Sequence, residues 1–328
     1  MPRNRWLSLT RHAAALLALG AFCGLGCIVS NVDPKDPPAG KQPDTLATPV
    51  DTIDVPQAFF TLDGTDLRRT GWPADFAKYS LFVCTPSLGA DEIAKIHQGV
   101  PGTRALSYVS AQDVSIGFFP GNPYYDTLTA TFDSTLCLRD LRTGNVVRQR
   151  GESGSALPAF ILSKRTADLL VAFLQGHMAG MGWDGLYVDQ CTSEYPAWRK
   201  ALLDSLTTSF DIDGDGVADT MDQLDAQYAA WRPYFTQRLR EVLGNDAILV
   251  ANAGGPLVDS ALNGITLEGV GTRFTVPDAR GYLHAQLAVA RPPFVAALWI
   301  TTDGSREPSL GLAREIAGVH YGTVAYFQ

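Results

Sequence analysis

Short apolar runs separated by amphipathic stretches recur along most of the chain. Eight runs read as strands: Tyr79–Cys84, Ala105–Val109, Pro158–Leu162, Gly185–Asp189, Ala247–Asn252, Gly264–Glu268, Phe294–Trp299 and Thr323–Phe327. They are rich in β-branched or aromatic residues, and none alternates cleanly between apolar and polar, as expected for strands buried on both faces. Helical patterns stand between them at Asp91–His97, Thr166–Ala179, Asp222–Leu243, Asp278–Ala290 and Glu307–Ala317. The longest carries Leu224, Tyr228, Trp231, Phe235, Leu239 and Val242 at three- and four-residue steps, which makes one core-facing stripe. Asp222 reads as its N-terminal cap and Gly244 as its C-terminal cap. Alternating strands and helices predict an α/β fold, and eight strands predict a (β/α)8 TIM barrel, although an open doubly wound sheet gives a similar pattern. Two departures are expected: no helix after the last strand, and a long insertion after strand two, over residues 111–156. Phe59–Leu62 is a further strand candidate that would shift the count by one.

The N-terminus does not belong to this pattern. Residues 1–27 carry Arg3, Arg5 and Arg11 with no acid, then an apolar run from Ala13 to Cys27. The run is shorter than the roughly 20 residues of a membrane span, so it reads as an export signal. Small residues before Cys27 suggest a lipoprotein signal with Cys27 as the lipidated first residue, although Gly24 stands where a leucine is usual. Plain cleavage to a soluble secreted protein is the alternative. Residues 28–57 hold Pro34, Pro37, Pro38, Pro43, Pro49 and Pro56 among polar residues and read as a tether. Residues 58–328 are then one domain, reaching a membrane only through the anchor.

Charge narrows the partners. The net charge of −8 becomes −11 once the three leader arginines are gone, which argues against nucleic acid and for a neutral ligand such as a polysaccharide or oligosaccharide. A monomer is expected. Cys84, Cys137 and Cys191 follow no metal-ligand spacing, and export permits one disulfide among them.

Three motifs carry candidate chemistry. Asp211, Asp213, Asp215, Asp219 and Asp222, with Gly216 and the Val217 carbonyl, follow the 1-3-5-7-9-12 spacing that wraps oxygen ligands around calcium. A metal-free acidic turn is the bland alternative, and a structural calcium is the only cofactor expected. Gly185-Leu-Tyr-Val-Asp189 and Gly264-Ile-Thr-Leu-Glu268 each end a strand in an acid, at the mouth where barrel active sites lie. On strands four and six the two carboxylates can converge within the roughly 5 to 10 Å that glycosidases use. Asn252, Gln190 and Asp113 are candidates to bind or orient a sugar, with Tyr108 and Trp299 candidates to stack on its ring.

Gly182-Trp-Asp-Gly-Leu-Tyr-Val-Asp189, Ile248–Asn252 and Gly264–Glu268 together resemble the glycoside-hydrolase-like barrels related to endo-α-1,4-polygalactosaminidases. The similarity runs from about Ala105 to Phe327 and includes Cys137–Asn145, which looks like that family's hairpin between strands two and three. The resemblance implies a glycosidase with Asp189 as nucleophile or base and Glu268 as general acid; spacing alone does not assign the two. A non-catalytic sugar-binding barrel, or a calcium-stabilised surface lipoprotein, would leave the same acids without that work.

Overall fold

The computed structural model describes residues 57–111, 122–132, 134–150, 156–158, 163–192, 209–252, 255–270, 273–300, 312 and 324–327. The signal, Cys27, all of the tether but Gln57, Asp113 and the helix expected at Glu307–Ala317, apart from Leu312, lie outside them.

The barrel strands are β1 (Gln57–Leu62), β2 (Tyr79–Cys84), β3 (Arg104–Ser110), β7 (Gly185–Asp189), β9 (Ile248–Asn252), β10 (Gly264–Val270), β11 (Val295–Ile300) and β12 (Val324–Phe327). All pair in parallel and close in the order β1-β12-β11-β10-β9-β7-β3-β2. The helices are α1 (Trp72–Phe76), α2 (Ala90–Gly99), α3 (Pro123–Thr131), α4 (Lys164–Met178), α5 (Met221–Leu243) and α6 (Val276–Leu287). This is an α/β barrel.

One strand of the sequence reading was misplaced. Pro158 belongs to β6 (Ala156–Pro158), which pairs antiparallel with β5 (Arg148–Arg150) outside the barrel, while Gln57–Leu62 supplies the first barrel strand. A short apolar run announces a strand but not its partner. The two shifts cancel, so Asp189 still closes the fourth barrel strand and Glu268 still lies on the sixth, which runs two residues further than the sequence suggests, to Val270. The long insertion and its hairpin therefore follow the third strand, β3, not the second. The hairpin itself forms, with Gly144 donating to the Asp140 carbonyl at 2.7 Å. Its strand β4 (Arg139–Asp140) pairs with β8 (Phe210–Asp211), so the insertion fastens the base of the acidic loop. The apolar residues Leu128, Phe132, Leu136 and Leu138 join the main core, so the insertion is part of the domain.

Strand side chains face two cores rather than a core and water, which is why the sequence lacks alternation. Leu81, Val83, Leu106, Tyr187, Val250 and Ala297 fill the barrel interior, while Val109, Leu186, Val188, Ala251 and Leu298 meet the helices outside. On that outer side His177 of α4 lies 3.0 Å from Ser107 Oγ, and burial pushes its imidazole down to about 4, so it packs as a neutral ring.

The stripe on α5 is core as expected, with Leu224, Tyr228, Phe235 and Leu239 buried, and Gly244 ends the helix at φ 81°. The N-cap is corrected: Thr220, not Asp222, accepts from the Gln223 N–H, and Gln223 reaches back in a capping box. No helix stands between β9 and β10 among the described residues. Two arginines of α5 hold that segment and the turn that leads from α5 into β9. Arg240 donates to the carbonyls of Ala261, Gly244 and Ala247 and to Asn263 Oδ1, and Arg232 pairs with Asp259 at 2.8 Å, both side chains about a tenth exposed. The three body cysteines are buried, and no disulfide joins them.

Candidate active site

Period-two geometry points Asp189, two residues beyond Tyr187, into the barrel. The same parity turns Asn252 inward above Val250, and Glu268 above Thr266. Asp189 and Asn252 end their strands and Glu268 stands two residues before the end of its own, so all three meet toward the C-terminal mouth.

Asn252 is buried and sits between the acids. Its Nδ2 donates to Asp189 Oδ1 at 3.0 Å and to Glu268 Oε1 at 2.8 Å, so one amide nitrogen spans both carboxylates. Asp189 receives two further bonds, from Tyr108 Oη to Oδ2 at 2.5 Å and from the Gln190 N–H to Oδ1 at 2.8 Å. Tyr108 is held for this by a ring stack on Tyr187, centroids 6.0 Å apart, and Phe60 closes on Tyr187 edge-on at 5.2 Å. Three donors favour the charged form of a carboxylate. Glu268 is in the opposite situation. Burial first, and the neighbouring Asp189 charge second, push its carboxyl up to about 7, against the opposing pull of Arg273 and the Asn252 hydrogen bond.

The sequence therefore named four residues that the fold brings together: Asp189, Glu268, Asn252 and Tyr108. Tyr108 arrives by a different use, as a hydrogen-bond donor to an acid rather than a free ring face. Gln190 follows Asp189 directly and adopts φ 55°, with its Oε1 buried and lacking a partner. Trp299 pairs in register with Glu268 across β10 and β11, which places its backbone at the mouth. Asp113 is outside the described residues. The sequence reading missed Arg273, whose N–H closes a tight turn onto the Gly269 carbonyl at 2.7 Å and so keeps a cation near Glu268. An arginine five residues past a strand-end acid has no local signature.

In the acidic loop, Asp211, Asp213 and Asp215 offer oxygen atoms within 4.8 Å of one another. The loop folds on itself, with the Gly214 and Gly216 N–H groups donating to Asp211. Asp219 turns inward to accept from the Ile212 N–H, and Val217 is exposed at the tip. Hard oxygen donors at this spacing fit calcium, whose ligands stand about 2.3–2.6 Å from the ion.

No family model matches the chain, and no curated protein matches it. Solved structures match by fold. A GH31 dextranase from Flavobacterium johnsoniae, complexed with isomaltotriose, aligns with a TM-score of 0.51 at 9% identity, over 84% of this chain and 36% of the dextranase. A cycloisomaltooligosaccharide glucanotransferase from Paenibacillus aligns at 0.47 and 11%, over 76% of this chain and 38% of its own. An α-galactosidase from Thermus thermophilus aligns at 0.46 and 15%, over 82% and 57%. This chain thus spans between about a third and three fifths of their length. The likeness is one of fold, an α/β barrel.

Proposed function

We propose that the protein hydrolyses a glycosidic bond, with Asp189 as nucleophile and Glu268 as acid and base. The observation that carries this reading is the shared Asn252 nitrogen, which holds two carboxyl groups of opposite character over one mouth. Asp189, fed by Tyr108, Asn252 and the Gln190 N–H, keeps its negative charge. Glu268, raised to about 7, still carries its proton in a large share of molecules near neutral pH and can give it away. Two hydrogen bonds leaving one trigonal nitrogen at about 120° put their acceptor oxygens about 5 Å apart, near the separation of about 5–5.5 Å that goes with retention. Asp189 then bonds to the anomeric carbon as Glu268 protonates the departing oxygen. Water attacks the same carbon next, Glu268 takes its proton, and the Asp189 carboxylate is released.

The substrate is a polysaccharide or oligosaccharide outside the cell, since the leader reads as an export signal with Cys27 as lipid anchor. A carbohydrate partner is supported by the fold match to a dextranase bound to isomaltotriose. Gln190 and Asn252 are proposed to bind the sugar, with Trp299 and Asp113 as further candidates from the sequence. The test is a screen of the purified domain on neutral and amino-sugar polysaccharides, with the anomer of the first product read by NMR. Asp189→Asn is expected to abolish turnover, because an amide is a poor nucleophile for the anomeric carbon. Turnover equal to wild type would remove Asp189 from the mechanism, and an inverted first product would make it a base acting through water.

The loop of Asp211, Asp213, Asp215, Val217, Asp219 and Asp222 is proposed to hold a structural calcium. An ion bound only by the folded chain stabilises it in proportion to the logarithm of its concentration. Millimolar calcium is expected to raise the melting temperature by several degrees, and Asp213→Asn with Asp215→Asn to erase that rise. A melting curve indifferent to calcium would leave an acidic turn.

A further inference from the structure

We propose that Arg273 selects the substrate by pairing with the carboxylate of an acidic sugar, a uronic acid residue, bound at the mouth beside Glu268. The inference rests on reading this mouth as a sugar site. Arg273 lies on the turn that leaves the strand carrying Glu268. Gly269, at φ 77°, starts that turn, and its carbonyl accepts from both the Arg273 N–H at 2.7 Å and the Phe274 N–H at 3.2 Å. Two residues on, Thr275 caps α6, so the turn is fixed at both ends. The side chain is exposed, and two neighbours place it. Its guanidinium lies 5.5 Å from the centroid of the Phe274 ring, which Tyr282 of α6 holds edge-on at 5.8 Å. Its charge also reaches the Glu268 carboxyl and opposes the rise that burial imposes there. Among the described residues no carboxylate forms an ion pair with this guanidinium, in a chain with 34 acids against 26 lysines and arginines. Other arginines of the fold do find acids: Arg104 pairs with Asp184 at 3.0 Å and Arg232 with Asp259 at 2.8 Å. The mouth does not supply one either. Asp189 is engaged by Tyr108, Asn252 and the Gln190 N–H, and Glu268 must hold a proton to act as an acid. An exposed guanidinium presents a planar fork of N–H donors, and a carboxylate is the planar acceptor that fits it with two bonds. A uronic acid carries that carboxylate on a sugar ring, so one molecule meets both the fork and the two acids. The negative charge of the whole chain does not oppose this, because it is screened over about 8 Å at physiological ionic strength while the pair forms in contact.

The test separates this inference from the hydrolase reading by measuring binding as well as turnover. Glucuronate and galacturonate, each with its neutral parent sugar, and glucose 6-sulfate are titrated by ligand-observed NMR into the full chain as wild type, Arg273→Gln and Arg273→Lys. Arg273 is exposed, so both variants should melt close to wild type. Wild type should bind each uronate about fivefold more tightly than its neutral parent, a difference that shrinks with added salt. Arg273→Gln should erase that preference and leave the neutral sugars unchanged, and Arg273→Lys, a charge without the fork, should keep only part of it. That pattern supports the inference even where no sugar is cleaved, an outcome that removes only the hydrolase reading. A uronate preference that is missing in wild type, or that survives Arg273→Gln, overturns it even where hydrolysis of neutral polysaccharides is established. Tighter binding of glucose 6-sulfate than of either uronate overturns the choice of carboxylate. Failure of wild type to bind any of these sugars overturns the inference together with the reading of the mouth.

Discussion

Glu268→Gln is expected to slow glycoside hydrolysis by about 10²–10⁴-fold while making the folded protein more stable above neutral pH. The two effects share a cause. Burial and the Asp189 charge raise the Glu268 carboxyl to about 7, so the folded protein binds this proton more tightly than the unfolded chain does. Stability from this group is therefore complete below about pH 4.5 and is lost as pH rises through 7. A shift of this size corresponds to about 3 kcal/mol, and glutamine, neutral at every pH, does not incur the loss. It also keeps an oxygen to accept from Asn252. The advantage of the variant should appear between pH 4.5 and 7 and level off above. In wild type, kcat/KM should fall with an apparent pKa near 7 on the alkaline side, and that limb should vanish in the variant. The loss should shrink on aryl glycosides whose phenolate departs without a proton. A variant as active as wild type on unactivated sugars, or less stable than wild type at pH 8, would mean that Glu268 is not the buried acid.

The positions of both acids were legible because a carboxylate that ends an apolar run has few structural uses, and because strand order along a barrel follows sequence order. What sits beside them was not. Tyr108 reads in sequence as an aromatic near a strand end; only the pairing of Tyr108 with Tyr187 and of Ser110 with Asp189 puts its hydroxyl one rung below the acid. Asn252 was legible as a polar strand end but not as a bridge, since that depends on β9 lying between β7 and β10. Pro158 falls in a hairpin strand and Gln57–Leu62 in the barrel for the same reason: hairpin and barrel strands share β-propensity and differ only in their partner. The buried arginines of α5 were hidden because sequence offers no view of the non-helical segment between β9 and β10 whose Ala261 carbonyl and Asp259 they satisfy.

Gly264→Ala is expected to prevent folding or to cost at least about 4–5 kcal/mol, a large share of the roughly 5–15 kcal/mol that holds a domain together. Gly264 opens the strand that carries Glu268, and it shares the inward face of Thr266 and Glu268 by parity. A Cβ there would stand 1.4 Å from the Val295 carbonyl oxygen of β11. Gly185 opens the strand that ends in Asp189, and its Cβ would stand 1.9 Å from the Ile248 carbonyl oxygen of β9. In both cases the obstacle is backbone of a paired strand, so no rotamer change relieves it. The repeated spacing of a glycine four residues before an acid therefore has a structural meaning: neighbouring strands cross closely at the foot of the two strands that carry the acids. Gly281, inside α6 with open space around it, is the matched control, and Gly281→Ala should stabilise by about 0.5–1 kcal/mol. Denaturant melts of the three variants decide the matter. If Gly264→Ala and Gly185→Ala unfold at the same denaturant concentration as Gly281→Ala, the strands are not packed backbone to backbone at the barrel foot. The register that brings Asp189 and Glu268 onto one amide nitrogen would then have to be wrong as well.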